Sequence, residues 1–242
     1  VSQIGGIKLQ KEIAVKIRGL KKKYPGVKAL KGIDVDFSAG KITGLIGPNG
    51  SGKSTMLKSI AGLVQPSKGD ISVFGERVDY KLKEDIAFLP EINHFYKWMT
   101  IEQVINFTEK QFSNFDRGKA GEIIDFMNLK PSQKIKNLSK GMVGRVKLVL
   151  TMARDVPLII LDEPLAGIDP KSRAQILESL ISEYNAEKQS IIISTHEVLE
   201  AERFFDSVIF LENGKIKLQG NADDLRKEKN KSIQDMTREV FV

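Results

Sequence analysis

Lysine, serine and glycine stand at telling intervals in Gly47-Pro48-Asn49-Gly50-Ser51-Gly52-Lys53-Ser54-Thr55. Gly47 to Ser54 fits G-x-x-x-x-G-K-[ST], the pattern of a loop that cradles nucleotide phosphates. Glycines let such a backbone curl, so that successive N–H groups point inward at the positive end of a helix dipole. Lys53 is spaced to reach the β- and γ-phosphates, and the Ser54 hydroxyl to hold Mg²⁺. A second group stands at Leu158-Ile159-Ile160-Leu161-Asp162-Glu163-Pro164, an apolar run ending in two carboxylates. Asp162 is suited to support Mg²⁺ through water, and Glu163 to polarise an attacking water. Such chemistry consumes a nucleoside triphosphate and needs Mg²⁺.

These groups work only if strands and helices deliver them to one place. Lys41 to Ile46 reads as a buried strand before the loop, and Thr55 to Ala61 as the helix after it. Leu158 to Leu161 and Ser190 to Ser194 are continuous apolar runs, the pattern of parallel strands covered on both faces. Parallel strands place their C-terminal ends on one edge, so Asp162 is expected beside the loop. Glu12 to Leu20, Gly32 to Phe37 and Gly69 to Phe74 alternate and read as a small antiparallel layer. Asp85 to Leu89 is a short buried strand stopped by Pro90. From about Thr100 to Arg154 the period becomes helical. Ile101, Val104, Ile105 and Phe107 share one face there. Ile123, Ile124, Phe126 and Met127 form a second segment, and Met142, Val146, Val149, Leu150 and Ala153 a third. Lys171 to Asn185 is a helix between the apolar strands. Asn213-Gly214 marks a hairpin, and Ala222 to Val242 a charged helical tail. The expected fold class is α/β, a RecA-like P-loop core with a small antiparallel β layer and an inserted helical subdomain. The expected division is a core of 1–90 and 157–220, a helical subdomain of 91–156 and a tail of 221–242.

The whole chain sets bounds. Its 242 residues are 41% hydrophobic and 29% charged, an ordinary balance for a globular domain. No apolar run approaches the ~20 residues that cross a bilayer, and Val1 to Gln10 lacks a signal-peptide pattern. There is no cysteine, hence no disulfide or thiolate chemistry. The net charge is +7, and residues 1–34 alone hold nine bases against two acids. That local basicity fits a solvated strand face, a surface near anionic lipid, or a nucleic-acid patch. No zinc-finger spacing or aromatic-interleaved basic strand supports the last, so no nucleic-acid partner is expected.

From about residue 12 to 220 the chain resembles the nucleotide-binding subunit of ATP-binding-cassette (ABC) transporters. Leu138-Ser139-Lys140-Gly141-Met142 is similar to that family's LSGGQ signature, with Lys140 and Met142 departing from it. The resemblance implies that Ser139 and Gly141 face the γ-phosphate of ATP bound by a second cassette, in a head-to-tail homodimer or heterodimer. It implies that Tyr24 stacks on adenine and that Leu165 to Asp169 touches the partner, although Asp169 before Pro170 also suits a helix cap. It implies that His196, in Ser194-Thr195-His196-Glu197, contacts the γ-phosphate. His94 lacks such a context and reads as a surface loop residue. Catalysis would thus rest on Glu163, His196 and Lys53, with the nucleotide held by Tyr24, the loop from Gly47 to Thr55, Ser139 and Gly141. The metal would meet Ser54, Asp162 and Glu91.

Glu91 is a departure, because the family usually carries Gln where the strand Ile86 to Leu89 leads into the helical subdomain. A carboxylate still suits a metal but adds negative charge near phosphates. Leu89-Pro90-Glu91 and Ser139-Lys140-Gly141-Met142 resemble cassettes of ABC-2-type exporters. The resemblance therefore implies an ATPase that drives a separate transmembrane permease, held in the cytoplasm on the inner face of the cell membrane. Glu91 to Glu102, with Phe95, Tyr96 and Trp98, lies where such cassettes receive the permease, and these aromatics are expected to be exposed. A soluble ABC ATPase acting on DNA or ribosomes is the competing reading. DNA-repair members carry long coiled coils and translation-type members two cassettes, neither of which is present. A sensing module without turnover is disfavoured, since Lys53, Asp162, Glu163 and His196 all stand.

Overall fold

The computed structural model describes residues 12–79 and 81–241. Val1 to Lys11, including the bases Lys8 and Lys11, lie outside the described residues, as do Tyr80 and Val242.

Two sheets organise the chain. A six-stranded sheet has the order β10-β9-β3-β8-β7-β6. Its members are β3 (Ile42–Ile46), β6 (Ile86–Leu89), β7 (Leu158–Asp162), β8 (Ser190–Thr195), β9 (Ser207–Glu212) and β10 (Lys215–Asn221). All neighbours run parallel except β9 and β10. The four-stranded antiparallel sheet has the order β2-β1-β4-β5. It comprises β1 (Ile13–Tyr24), β2 (Val27–Ser38), β4 (Lys68–Val73) and the short β5 (Glu76–Arg77).

The apolar runs become the centre of the larger sheet because side chains alternate between two covered faces. Ile191 and Ile193 of β8 pack into one core, and Ile192 into the other. Ile159 and Leu161 of β7 likewise oppose Leu158 and Ile160. One core lies under the helical layer. That layer includes α2 (Ile101–Gln111), α3 (Arg117–Phe126), α4 (Lys140–Met152) and α5 (Pro170–Ser182). The C-terminal α6 (Ala222–Lys229) and α7 (Ile233–Val240) join the same core through Leu225, Ile233 and Met236. The other core joins the sheet to α1 (Lys53–Ile60) and the antiparallel layer through Met56, Leu57 and Ile60.

Helix starts follow from capping. Thr100 Oγ1 accepts from Gln103 N at 3.2 Å while Gln103 Oε1 accepts from Thr100 N at 2.9 Å, a reciprocal capping box. Ser139 Oγ accepts from Met142 N at 3.2 Å and so starts α4.

Three expectations need correction. β1 does not stop near Leu20 but runs to Tyr24, which pairs with Val27 across Pro25-Gly26. Lys21 to Lys23 hid this extension, because a strand at a solvated rim needs no apolar alternation. Phe107 and Phe126 do not share the buried faces of their helices and are exposed. Phe95 is not an exposed aromatic: it is half-buried against the helical core, unlike Tyr96 and Trp98.

Candidate functional site

Strand order and register assemble the site. β8 lies between β3 and β7, with Ile46 opposite Thr195 and Asp162 opposite Ser194. The loop after β3, the carboxylates after β7 and His196 after β8 therefore leave the sheet at one edge. β6 ends beside β7 and delivers Glu91 to the same edge. The expected convergence of strand ends is what the topology provides.

The phosphate loop is closely fitted to its surroundings. Gly52 has φ 111° and caps α1 in a left-handed conformation that favours glycine. A Cβ on Gly47 would lie 2.2 Å from the Leu211 carbonyl oxygen, which belongs to the β9 backbone. No rotamer change relieves a clash with backbone, so Gly47→Ala is expected to lower stability by about 1–3 kcal/mol. Urea unfolding of the two proteins measures this directly. The tip of the β9–β10 hairpin braces the loop from outside. Asn213 and Gly214 have φ 49° and 74°, and Gly214 N donates to Ser51 O at 2.9 Å. Lys31 N donates to Gly214 O at 2.9 Å, joining the hairpin to β2.

Within the cleft the polar side chains form one network. Lys53 Nζ donates to Gly47 O at 2.6 Å and Pro48 O at 3.2 Å, and lies 3.1 Å from Glu163 Oε1. Glu163 Oε2 faces His196 Nδ1 at 2.8 Å, so this nitrogen carries the hydrogen. Ser54 Oγ donates to Asp162 Oδ1 at 3.0 Å, and Ser194 Oγ donates to the same oxygen at 2.8 Å. Ser194 Oγ also accepts from Glu163 N at 2.9 Å. Asp162 Oδ2 and Ser51 Oγ are buried and lack a hydrogen-bond partner. A buried polar atom without a partner is costly unless a ligand or ion meets it. Asp162 Oδ2 thus fits a metal-bound water, and Ser51 Oγ a phosphate.

Backbone conformation explains how adjacent carboxylates serve one cleft. In an extended strand Asp162 and Glu163 would point to opposite faces. Glu163 instead has φ 50°, uncommon for a residue with a side chain. That turn swings Glu163 to Lys53 while Asp162 meets Ser54. The hydrogen bond from Glu163 N to Ser194 holds the turn.

A cleft of about 830 Å³ joins these groups to the antiparallel layer. Tyr24, Asn49 to Thr55, Glu91 and Glu163 line it. Tyr24 is 42% exposed, and Lys22 Nζ lies over its ring, 5.1 Å from the centroid. Ser139 and Gly141 do not line this cleft. They sit at the start of α4, where Ser139 and Lys140 are exposed. Ile168 covers the same turn, since a Cβ on Gly144 would lie 3.0 Å from its Cδ1.

Two residues, one in this network and one bonded to the Glu91 turn, were missed by sequence reading. Ser194 was legible only as a strand member, although a hydroxyl in a fully buried strand signals a partner. Lys147 sits 8% exposed on α4 among Val146, Leu148 and Leu150. A lysine inside an apolar helix stripe was the available signal.

Among the described residues no cluster of three His, Asp or Glu side chains forms a metal cage. No helix among the described residues is long and apolar enough to cross a membrane.

The likeness to known proteins agrees with this geometry. The model of the family described as "ABC transporter" matches residues 30–166. The ABC transporter ATP-binding protein YtrB of Bacillus subtilis is 32% identical, over 88% of this chain and 74% of its own. The Nod factor export ATP-binding protein I of Rhizobium sp. is 30% identical, over 90% of this chain and 74% of its own. A dimeric post-hydrolysis state of the ATP-binding cassette MJ0796, bound to ADP and Pi, superposes with a TM-score of 0.76. That match is 25% identical and covers 86% of this chain and 98% of the other. A family model spanning more than half of the sequence, on the fold and phosphate loop just described, means that the chain belongs to the ABC transporter family, as an ATP-binding subunit that hydrolyses ATP.

Proposed function

We propose that this chain is one half of a head-to-tail ATPase clamp that drives a separate membrane permease in the export direction. The observation that carries the reading is the division of its phosphate-binding groups. Lys53, Ser54 and Glu163 gather at one cleft, whereas the N-terminal turn of α4 lies outside it. A helix start with an exposed serine and free N–H groups suits an anion supplied by another molecule. In a two-fold pair each chain lends Ser139 and Gly141 to its neighbour's nucleotide, and receives the same in return. The ATP-binding cassette MJ0796, dimeric in its post-hydrolysis state, supports a pairing of cassettes.

In this reading Tyr24 stacks on the adenine and the loop from Gly47 to Thr55 wraps the phosphates. Ser54 and Asp162 would hold Mg²⁺, and Glu91, just past the end of β6, would meet it as well. When bound, Mg²⁺ neutralises charge on the β- and γ-phosphates. Lys53 neutralises Glu163 before nucleotide enters. Arriving phosphate draws the ammonium away and leaves the Glu163 carboxylate free to orient water for in-line attack. The His196 Nδ1–H, which Glu163 accepts before nucleotide enters, turns towards the transferring phosphoryl group, whose developing charge Lys53 also stabilises. Ser194 fixes the Asp162 carboxylate and the Glu163 backbone in place. Loss of the γ-phosphate removes the bridge to the neighbour's Ser139, and the pair opens.

The load sits elsewhere. A groove of about 590 Å³, lined by Phe88, Ile92, Phe95, Tyr96, Met99 and Phe107, opens beside the segment after β6. Tyr96 and Trp98 are 65% and 64% exposed and stack at 5.9 Å. Such an apolar patch supports docking of a permease helix, with the chain peripheral on the inner face of the membrane. Residues 91–156 act as the arm that carries this groove, on a core of 1–90 and 157–220 with a tail of 221–242. The export direction rests on Leu89-Pro90-Glu91, on Ser139-Lys140-Gly141-Met142 and on the likeness to the Nod factor export protein.

Mixing two impaired variants tests the shared site. Ser139→Arg spoils only the turn lent to the neighbour, and Glu163→Gln only the chain's own cleft. A mixed pair keeps one intact composite site, so equal mixing is expected to restore about a quarter of wild-type turnover. A mixture as inactive as either parent would contradict the head-to-tail arrangement.

A further inference from the structure

The buried ammonium of Lys147 has no part in the chemistry above, yet it joins three functional places. It lies on α4, two turns beyond the Ser139 cap, and α4 continues unbroken from Lys140 to Met152. Its Nζ donates to Pro90 O at 2.7 Å and to Glu91 O at 2.8 Å. Its side chain also lines the apolar groove. An amine placed among Val146, Leu148 and Leu150 loses hydration, and burial lowers its pKa. The charges of Glu91 and Asp162 oppose that shift. A side chain of this kind is retained at a cost unless its hydrogen bonds matter. Here both acceptors are main-chain carbonyls of the turn that aims Glu91 into the nucleotide cleft.

We propose that Lys147 is a positioning residue that latches the Glu91 turn to α4, so that the metal-facing carboxylate and the neighbour-facing helix start move as one piece. The inference rests on the shared-site reading, and specifically on Glu91 meeting the Mg²⁺-bound nucleotide. The helix between Ser139 and Lys147 spans about 12 Å and is stiff on that scale. Whatever draws Glu91 towards the cleft therefore pulls on α4 and turns Ser139 with it. Pro90 has no N–H, and the Pro90 and Glu91 carbonyls just past β6 face the helix. Lys147 supplies the donors they need. Placing the latch at the wall of the groove puts the docked permease helix in contact with the same link.

The single tryptophan makes the latch observable. Trp98 lies in the segment that follows Glu91, exposed and stacked on Tyr96. In the Glu163→Gln background, where ATP persists, Mg²⁺-ATP is expected to shift Trp98 emission. Lys147→Met keeps the length and helix preference of the side chain but removes the donors. In that background it is expected to bind ATP within about twofold of the parent while losing the Trp98 response. With Glu163 intact, Lys147→Met is expected to lower kcat at least about fivefold with KM within about twofold. Lys147→Arg, which can still span two carbonyls, should recover most of both signals. Should Lys147→Met prove too unstable, Lys147→Gln keeps a donor nitrogen on a shorter side chain and should give an intermediate response. A wild-type Trp98 response and kcat in Lys147→Met would overturn the latch. Glu91→Ala separates the two ideas. If Glu91→Ala behaves as wild type, the metal-facing role of Glu91 fails; if it loses response and turnover while Lys147→Met does not, only the latch fails.

Discussion

Glu163→Gln is expected to reduce ATP turnover by about 10²–10⁴-fold while leaving nucleotide affinity nearly intact. The amide keeps the shape of the side chain and removes only its capacity to accept a proton and orient water strongly. In the protein that carboxylate is 7% exposed and fixed between Lys53 at 3.1 Å and His196 at 2.8 Å. Its own backbone is held at φ 50°, so its place is set before nucleotide binds. Preorganisation of this kind makes a single group expensive to lose in the transition state and cheap to lose in the ground state. Lys53 no longer shares its charge with a carboxylate in the variant, which favours phosphate binding rather than opposing it. Single-turnover kinetics, with ATP binding measured separately, distinguish the two effects. Steady turnover at the wild-type rate would remove Glu163 from the chemistry.

Lys53→Met should weaken ATP binding by about 10–100-fold, the worth of one or two charge-assisted phosphate contacts. The same variant should also be less stable without nucleotide. Lys53 and Glu163 are both at least nine-tenths buried, and removing one partner strands the other. Breaking such a pair costs about 3–5 kcal/mol, here eased by His196. Adding Glu163→Gln to Lys53→Met removes the stranded charge and should restore part of that stability. The expected coupling is about 1–3 kcal/mol, read from a double-mutant cycle in urea. Simple additivity would mean that the pair is not formed in solution. A recovered stability with ATP affinity still lost would separate the structural from the binding role of Lys53.

Glu163 and Lys53 were both legible in the sequence, and for the same reason. Each belongs to a short local pattern whose spacing carries the chemistry. Gly47 to Thr55 specifies a backbone curl within nine residues, and Leu158 to Glu163 a buried strand with charge at its end. The strands β3, β7 and β8 were legible because burial on both faces demands uninterrupted apolar runs. The Asn213-Gly214 hairpin was legible because its φ angles of 49° and 74° suit these two residue types. Tyr24 was singled out by resemblance, but its strand was cut short, since Lys21 to Lys23 lie on a rim where water satisfies them.

What sequence alone determined is therefore the phosphate loop, the paired carboxylates, the apolar strands and the order in which they come. These depend on neighbours a few residues apart, and local pattern records them. Tertiary structure decided which groups meet. Ser194 bonds Asp162 across 32 residues, His196 reaches Glu163 across 33, and Lys147 reaches Glu91 across 56. None of these pairings has a spacing signature, because each follows from strand order and from the path of α4 over the sheet. The turn at Glu163 is a further product of packing: Ser194, opposite Asp162, accepts from Glu163 N and helps to hold its backbone in a left-handed conformation. The sequence thus named the chemistry, and long-range register aligned it, since only a completed sheet brings residues over a hundred positions apart to within 3.0 Å, as Ser54 and Asp162 are.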